Sequence, residues 1–234
     1  TVHGFLVAAL DRRHAAGTPP FTVLCCDNLP SNGGTVRRLV LQFAEARDPE
    51  LAREIERAVA FPSTMVDRIV PATTDEDRAR ISASLGLDDA WPVKTEPFRQ
   101  WVVEDNFTLG RPGWEAFGVT MVADVRPYEE MKLRLLNGAH SAMAYLGLLL
   151  GRESVSSAFG DPLILRFVDG LWAEAIPTLP KDAGLDPKAY VAALSERFSN
   201  PALVHRTAQI ANDGSQKLPQ RILASARAAR SEGR

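Results

Sequence analysis

From residue 127 onward the sequence offers helices and almost no strand. Apolar residues recur at three- and four-residue spacing through 128–150, 161–175, 187–198, 201–211 and 219–230, the periodicity of one buried helix face. Pro187, Pro201 and Pro219 each suit the first turn of a helix, where the missing N–H costs nothing. Upstream the pattern alternates instead. Residues 4–16 read as a helix stopped by Gly17 and the Pro19-Pro20 pair. Residues 21–26 form a short continuous apolar run, the signature of a strand buried on both faces in a parallel sheet. Two helices follow at 35–46 and 49–60, and a third, with an acidic first turn, at 74–85. Residues 69–70 and 93–103 read as extended. The seam between an α/β part and an α part falls near 110–126.

Composition narrows the function classes. The chain has 234 residues, a net charge of −2, 45% hydrophobic and 24% charged residues, as in an ordinary globular protein. No Lys/Arg block points to nucleic acid or an anionic membrane surface. The longest apolar stretch, 142–150, is too short to span a bilayer, and no signal peptide is read at the N-terminus. The two cysteines are the adjacent Cys25 and Cys26, neither a disulfide framework nor a CxxC pair, so a reducing cytoplasm is expected. The four histidines show no HxxxH or HxH spacing, and no metal site is expected.

The run MKLRLLNGAH at 131–140 carries the most chemistry. At about 100° per residue, Asn137 lies ~140° and His140 ~80° round a helix from Lys132. An amine, an amide and an imidazole thus share one side of an otherwise apolar helix, with Glu129 one turn earlier. Such a set suits proton transfer at a hydroxyl or carbonyl carbon. The blander alternative is a solvated lysine, a surface pair of Glu130 with Arg134, and a core histidine. Asn28 stands at the carboxyl end of the apolar run 21–26, where open α/β sheets present residues to ligands. Asp27, Asn28 and Asn32 are also ordinary turn formers.

These stretches together resemble the mannitol dehydrogenase family, the polyol-specific long-chain dehydrogenases/reductases. The resemblance is carried by CDNLPSNG at 26–33, FPSTMVDRI at 61–69, EPFRQWVVEDNF at 96–107, 128–140 and 200–221 with DGSQKLPQR at 213–221. Within the family, 96–107 and 200–221 look most like the fructuronate reductase branch, with the mannitol 2-dehydrogenases second. The resemblance implies the α/β end of a Rossmann-type cofactor domain, residues 1–120, followed by a mainly α-helical substrate domain, residues 121–234. It implies NAD- or NADP-dependent interconversion of a uronate or ketose with its secondary alcohol, without a metal. Lys132 would be the acid/base, Asn28 and Asn137 the pair that holds the developing oxyanion, His140 the group that orients a substrate hydroxyl, and Glu129 a proton relay. Asp67 would lie near cofactor and substrate, and Asn28 near the cofactor.

A uronate adds a carboxylate, which calls for a cation. Arg206 and Lys217 rank first, then Arg99. Arg221 is a further candidate, with a surface helix charge as its blander reading, and His205 reads as a helix cap or a substrate contact. No GxGxxG occurs in the chain; Gly147 and Gly151 follow a helix, not a strand. The expectation is therefore a chain lacking the Gly-rich part of the cofactor domain and probing a small-molecule sugar acid or polyol as a monomer. A non-catalytic helical binding module is the alternative from another class.

Overall fold

A computed structural model describes residues 1–181 and 184–233. The chain divides into two compact units, one formed by residues 1–67 and 100–129, the other by 68–99 and 130–234. The division is not a single cut, because the excursion 68–99 belongs with the helices that follow residue 130.

The first unit opens with α1 (Val2–Ala15), α2 (Asn32–Arg47) and α3 (Pro49–Ala58). Helix α3 starts where the sequence dictates: Asp48 accepts from the N–H groups of Glu50 and Leu51, and Pro49 occupies the first helical position. Val7, Leu10, Val40, Ala44, Leu51 and Ile55 make its core. A three-stranded sheet in the order β1 (Thr64–Asp67), β2 (Gln100–Glu104), β3 (Thr120–Val122) completes it. β1 and β2 are antiparallel, with Thr64 opposite Val103; β2 and β3 are parallel, with Val102 opposite Thr120.

The expected strand at 21–26 is extended but joins no ladder. Its backbone bond is from the Val23 N–H to the Ala60 carbonyl, at 3.0 Å. Further along, side chains occupy the pairing positions: the Cys25 carbonyl accepts from Asn32 Nδ2 (3.0 Å) and Thr64 Oγ1 (2.7 Å). Of 69–70 and 93–103, read as strand or extended, the part from Gln100 pairs in the sheet as β2 (Gln100–Glu104). Ile69 and Glu96 do pair, but through one backbone bond and one from the Ile69 N–H to the Glu96 carboxylate, at 3.2 and 2.6 Å.

In the second unit α4 (Asp75–Leu85) begins at a capping box formed by Thr74 and Asp77 and ends at Gly86, in the left-handed conformation that glycine adopts without strain. One long helix runs through α5 (Arg126–Met131), a π-helical turn (Lys132–Asn137) and α6 (Gly138–Leu149). From residue 130 on this helix packs against α7 (Val155–Phe159), α8 (Pro162–Ala175), α9 (Pro187–Ser199) and α10 (Thr207–Ala211). Leu135, Met143, Ile164, Val168, Leu194 and Phe198 are fully buried there.

Two expectations at prolines fail. Residues 201–206 are not helical, because backbone pairing to the chain beside α7 competes successfully. Val155 donates to the His205 carbonyl and Thr207 to that of Glu153, at 2.9 and 3.0 Å, while Asn200 Oδ1 takes the Ala202 N–H in a local turn. Pro219 lies inside a helix rather than at its start, between α11 (Gly214–Leu218) and α12 (Ala224–Ser231). The missing proline donor coincides with a second π turn, Pro219–Leu223.

A buried ion pair ties the excursion to α9. Arg197 meets the Glu96 carboxylate at 3.0 and 2.8 Å with both side chains almost wholly enclosed, and its guanidinium lies 4.0 Å over the Phe98 ring. Arg197→Met should cost roughly 3–5 kcal/mol by leaving the Glu96 charge buried without its cation. Urea unfolding of the variant checks this; a loss below about 1 kcal/mol would show the pair to be dispensable.

Candidate active site

The π turn brings the polar residues of the long helix together. In α geometry Lys132 and Asn137 diverge by ~140°. Here the backbone bonds reach five residues back, as from the Gly138 N–H to the Leu133 carbonyl, and residues five apart fall nearly one above the other. The under-wound turn presents its Leu135 carbonyl to Trp172 Nε1, which donates at 2.9 Å and anchors the turn to α8. Lys132, Asn137 and His140 are only 9%, 6% and 6% exposed. Arg134 points elsewhere, to Glu130 at 2.9 Å and to Thr178, the ordinary pair expected for the outer face.

His140 is enclosed by aromatic groups. Its ring lies 4.9 Å from Phe198 and 5.3 Å, edge-on, from His205. Burial above all pushes its pKa well below the usual imidazole value, with His205, Arg197, Arg221 and Lys132 adding in the same direction. Burial also lowers His205. Both rings are therefore neutral near pH 7. Among the described residues His140 Nε2 and His205 Nδ1 are buried atoms with no hydrogen-bond partner, which in a native fold calls for explanation. One residue further along α6, Ser141 Oγ accepts from Arg221 at 3.2 Å.

The other candidates on the second unit are dispersed. Arg206 is exposed, its backbone bridged to Ser154. Lys217 is partly buried and reaches the Ile210 carbonyl at 3.4 Å and Asp213 at 3.9 Å. Arg99 is exposed and makes no hydrogen bond or ion pair among the described residues.

On the first unit, Asn28 lies in the exposed turn that follows the extended run, with its N–H on Asp27 Oδ1 at 2.8 Å. Asp67 closes β1 and is 1% exposed. Glu129 accepts the Ser31 N–H on both carboxylate oxygens, at 3.2 and 3.3 Å, with Ser31 held at a φ of 46°. The hub of this turn is Asn32, fully buried. Its amide nitrogen donates to the carbonyls of Cys25, Asp27 and Thr64, and its oxygen accepts from Gly33 and Thr64. Gly33 is required beside it, since a Cβ there would come within 2.5 Å of the Phe61 carbonyl. From the sequence Asn32 looked like one turn former among three, and only its spacing ahead of two glycines set it apart.

Among the described residues no group of three or more His, Cys, Asp or Glu side chains is arranged to hold a metal ion, and no helix is long and apolar enough to cross a membrane.

Comparison with known proteins places this architecture. Residues 1–116 match the family model described as the mannitol dehydrogenase Rossmann domain, and residues 124–234 match the mannitol dehydrogenase C-terminal domain. An uncharacterized oxidoreductase of Escherichia coli is 54% identical over 97% of this chain and 47% of its own length. The D-mannonate oxidoreductase of the same organism is 52% identical over 94% of this chain and 46% of its own. The chain thus spans about half the length of the curated relatives it matches. A Pseudomonas fluorescens mannitol 2-dehydrogenase, solved as a ternary complex with NAD and D-mannitol, superposes with a TM-score of 0.89 at 44% identity, over 100% of this chain and 48% of that one. With both halves matched by its two domain models, the chain belongs to the mannitol dehydrogenase family.

Proposed function

We propose that this chain carries the substrate-converting residues of an NAD(P)-dependent oxidoreductase that interconverts a ketose-type sugar acid and its secondary alcohol, of the fructuronate-to-mannonate kind. The observation that carries the reading is the buried trio of Lys132 and Asn137 on an under-wound turn and His140 on the regular helix that continues it. The 52% identity to a D-mannonate oxidoreductase supports the substrate class, and the NAD in the related ternary complex supports the cofactor. Hexitol 2-dehydrogenation is the second reading, favoured by the D-mannitol in that same complex.

The described residues suit the redox end of a dinucleotide. Asn28 offers a polar side chain in the exposed turn after the run 21–26, and Asp67 offers one at the end of β1; no GxGxxG lies within 1–116 to cradle a pyrophosphate. The nicotinamide supplies or takes the hydride when bound. The protein handles the oxygen and its proton. Lys132 takes the hydroxyl proton during oxidation and returns it during reduction. The Asn137 amide donates to the oxygen as it gains negative charge, and a preorganised donor of this kind contributes a few kcal/mol; the family resemblance assigns Asn28 the same role. A neutral His140 can accept from one substrate hydroxyl and donate to another. Glu129 passes protons between Lys132 and solvent.

In the full-length enzyme Lys132→Ala should lower kcat by about 10²–10⁴-fold, the usual contribution of a positioned acid/base, with a much smaller change in KM. The assay follows NADH or NADPH consumption with fructuronate and with fructose. Near-normal turnover in the variant would remove Lys132 from the chemistry; failure to reduce either ketose would sink the reading as a whole.

The neutral histidines predict a pH dependence of stability. The unfolded chain binds a proton at His140 near pH 6.5, its ordinary value, and the folded chain only at lower pH. Acidification below about 6.5 therefore favours the unfolded state. Thermal melting between pH 7.5 and 5 should show a falling Tm, and His140→Gln should flatten the part of the slope that this residue contributes. An unchanged slope would mean that the buried ring is not the source.

A further inference from the structure

We propose that Arg221, on the π turn between α11 and α12, is the residue that receives the carboxylate of a sugar-acid substrate. The inference rests on the sugar-acid reading above and deepens it. The sequence leaves Arg221 between a carboxylate-binding cation and a surface helix charge; its surroundings favour the first. It is half-buried, and burial lowers its pKa. The chain's other well-enclosed guanidiniums each hold a carboxylate: Arg111 pairs with Asp105 and Glu115, Arg134 with Glu130, and Arg197 with Glu96. Arg221 has the neutral Ser141 hydroxyl and, among the described residues, no carboxylate. A guanidinium removed from water without a counter-charge is costly. A ligand carboxylate supplies the missing charge in the two-point geometry that guanidinium favours.

The placement is built, not incidental. The second π turn presses its backbone onto α6, so that a Cβ at Gly138 would meet the Arg221 carbonyl at 3.0 Å. The side chain then reaches Ser141, beside His140, and its charge acts on that ring. His140 is more than nine-tenths buried, yet among the described residues its Nε2 has no partner, and neither has Nδ1 of the adjoining, partly buried His205. One cation, one hydroxyl and two open imidazole nitrogens make a set suited to a polyhydroxylated monoanion. The substrate carboxylate meets Arg221 while its hydroxyls meet the two rings.

The test uses the full-length enzyme with D-mannonate and D-mannitol as probes, in wild type, Arg221→Gln and Arg221→Lys. KM is measured for both compounds, and binding is read independently from imidazole ¹⁵N shifts of His140 and His205. Arg221→Gln should weaken mannonate roughly tenfold or more, the factor expected for a lost charge-assisted bond, and leave mannitol within about twofold; Arg221→Lys should fall between. Mannonate binding untouched by Arg221→Gln would overturn the assignment and leave the enzyme reading standing. Equal weakening of both probes would overturn it in favour of a structural role for Arg221. Wild type that binds mannitol and not mannonate would overturn the sugar-acid reading itself, and inorganic phosphate displacing mannonate at equal concentration would overturn the carboxylate preference.

Discussion

The backbone of residues 132–137 bonds five residues back instead of four, and the placement of Lys132 and Asn137 depends on that one departure. A regular α-helix would turn Lys132 and Asn137 away from each other and send one of them toward solvent or into the apolar core. Under-winding stacks them, at the expense of less favourable ladder bonds. The surroundings offset that loss. Trp172 takes up the Leu135 carbonyl, while Leu135, Leu136, Ala139 and Met143 lock the apolar side against α8 and α9. A polar trio can stay buried on such a helix because the packing opposite it tolerates no rotation.

A second recurring device is the side chain that takes the place of a ladder. Asn32 collects three backbone carbonyls in the first unit, and Glu96 takes the Ile69 N–H while pairing with Arg197 in the second. Both leave the local backbone free to be irregular without abandoning its hydrogen bonds. Turn 27–32, which carries Asn28, can therefore be strained at Ser31 and still be fixed in place. Irregular backbone held by buried polar groups is a common way to present a functional amide.

This device also explains what could and could not be read from the residues. Helix starts were legible wherever a short polar side chain caps the first turn, as at Asp48-Pro49, Thr74, Asp161-Pro162 and Asp186-Pro187, because capping is a local interaction. The long helix through 128–149 was legible from its apolar period. The strand expected at 21–26 was not realised, since whether an apolar run pairs depends on what lies beside it. Pro201 suits a helix start on local grounds, yet pairing of His205 and Arg206 with 153–155 prevails. The π turns were invisible for a simpler reason: over five or six residues, α and π periods predict nearly the same apolar pattern. The candidate trio was therefore found with the wrong angles, and Arg221 was ranked behind Arg206 and Lys217.

Electrostatics links these observations. A cluster holding Lys132, His140, His205 and Arg221 gains most from a site in which the imidazoles stay neutral, because each added positive charge would be opposed by the others in a poorly solvated setting. Arg197, the remaining nearby cation, is already balanced by Glu96. Among the described residues Arg221 meets no carboxylate, and His140 Nε2 and His205 Nδ1 have no partner. An apolar ligand would leave every one of those groups unsatisfied, and a neutral polyol would satisfy the nitrogens but not the guanidinium. A hydroxylated acid satisfies both, which is the chemical ground on which the sugar-acid proposal is distinguished from the hexitol one.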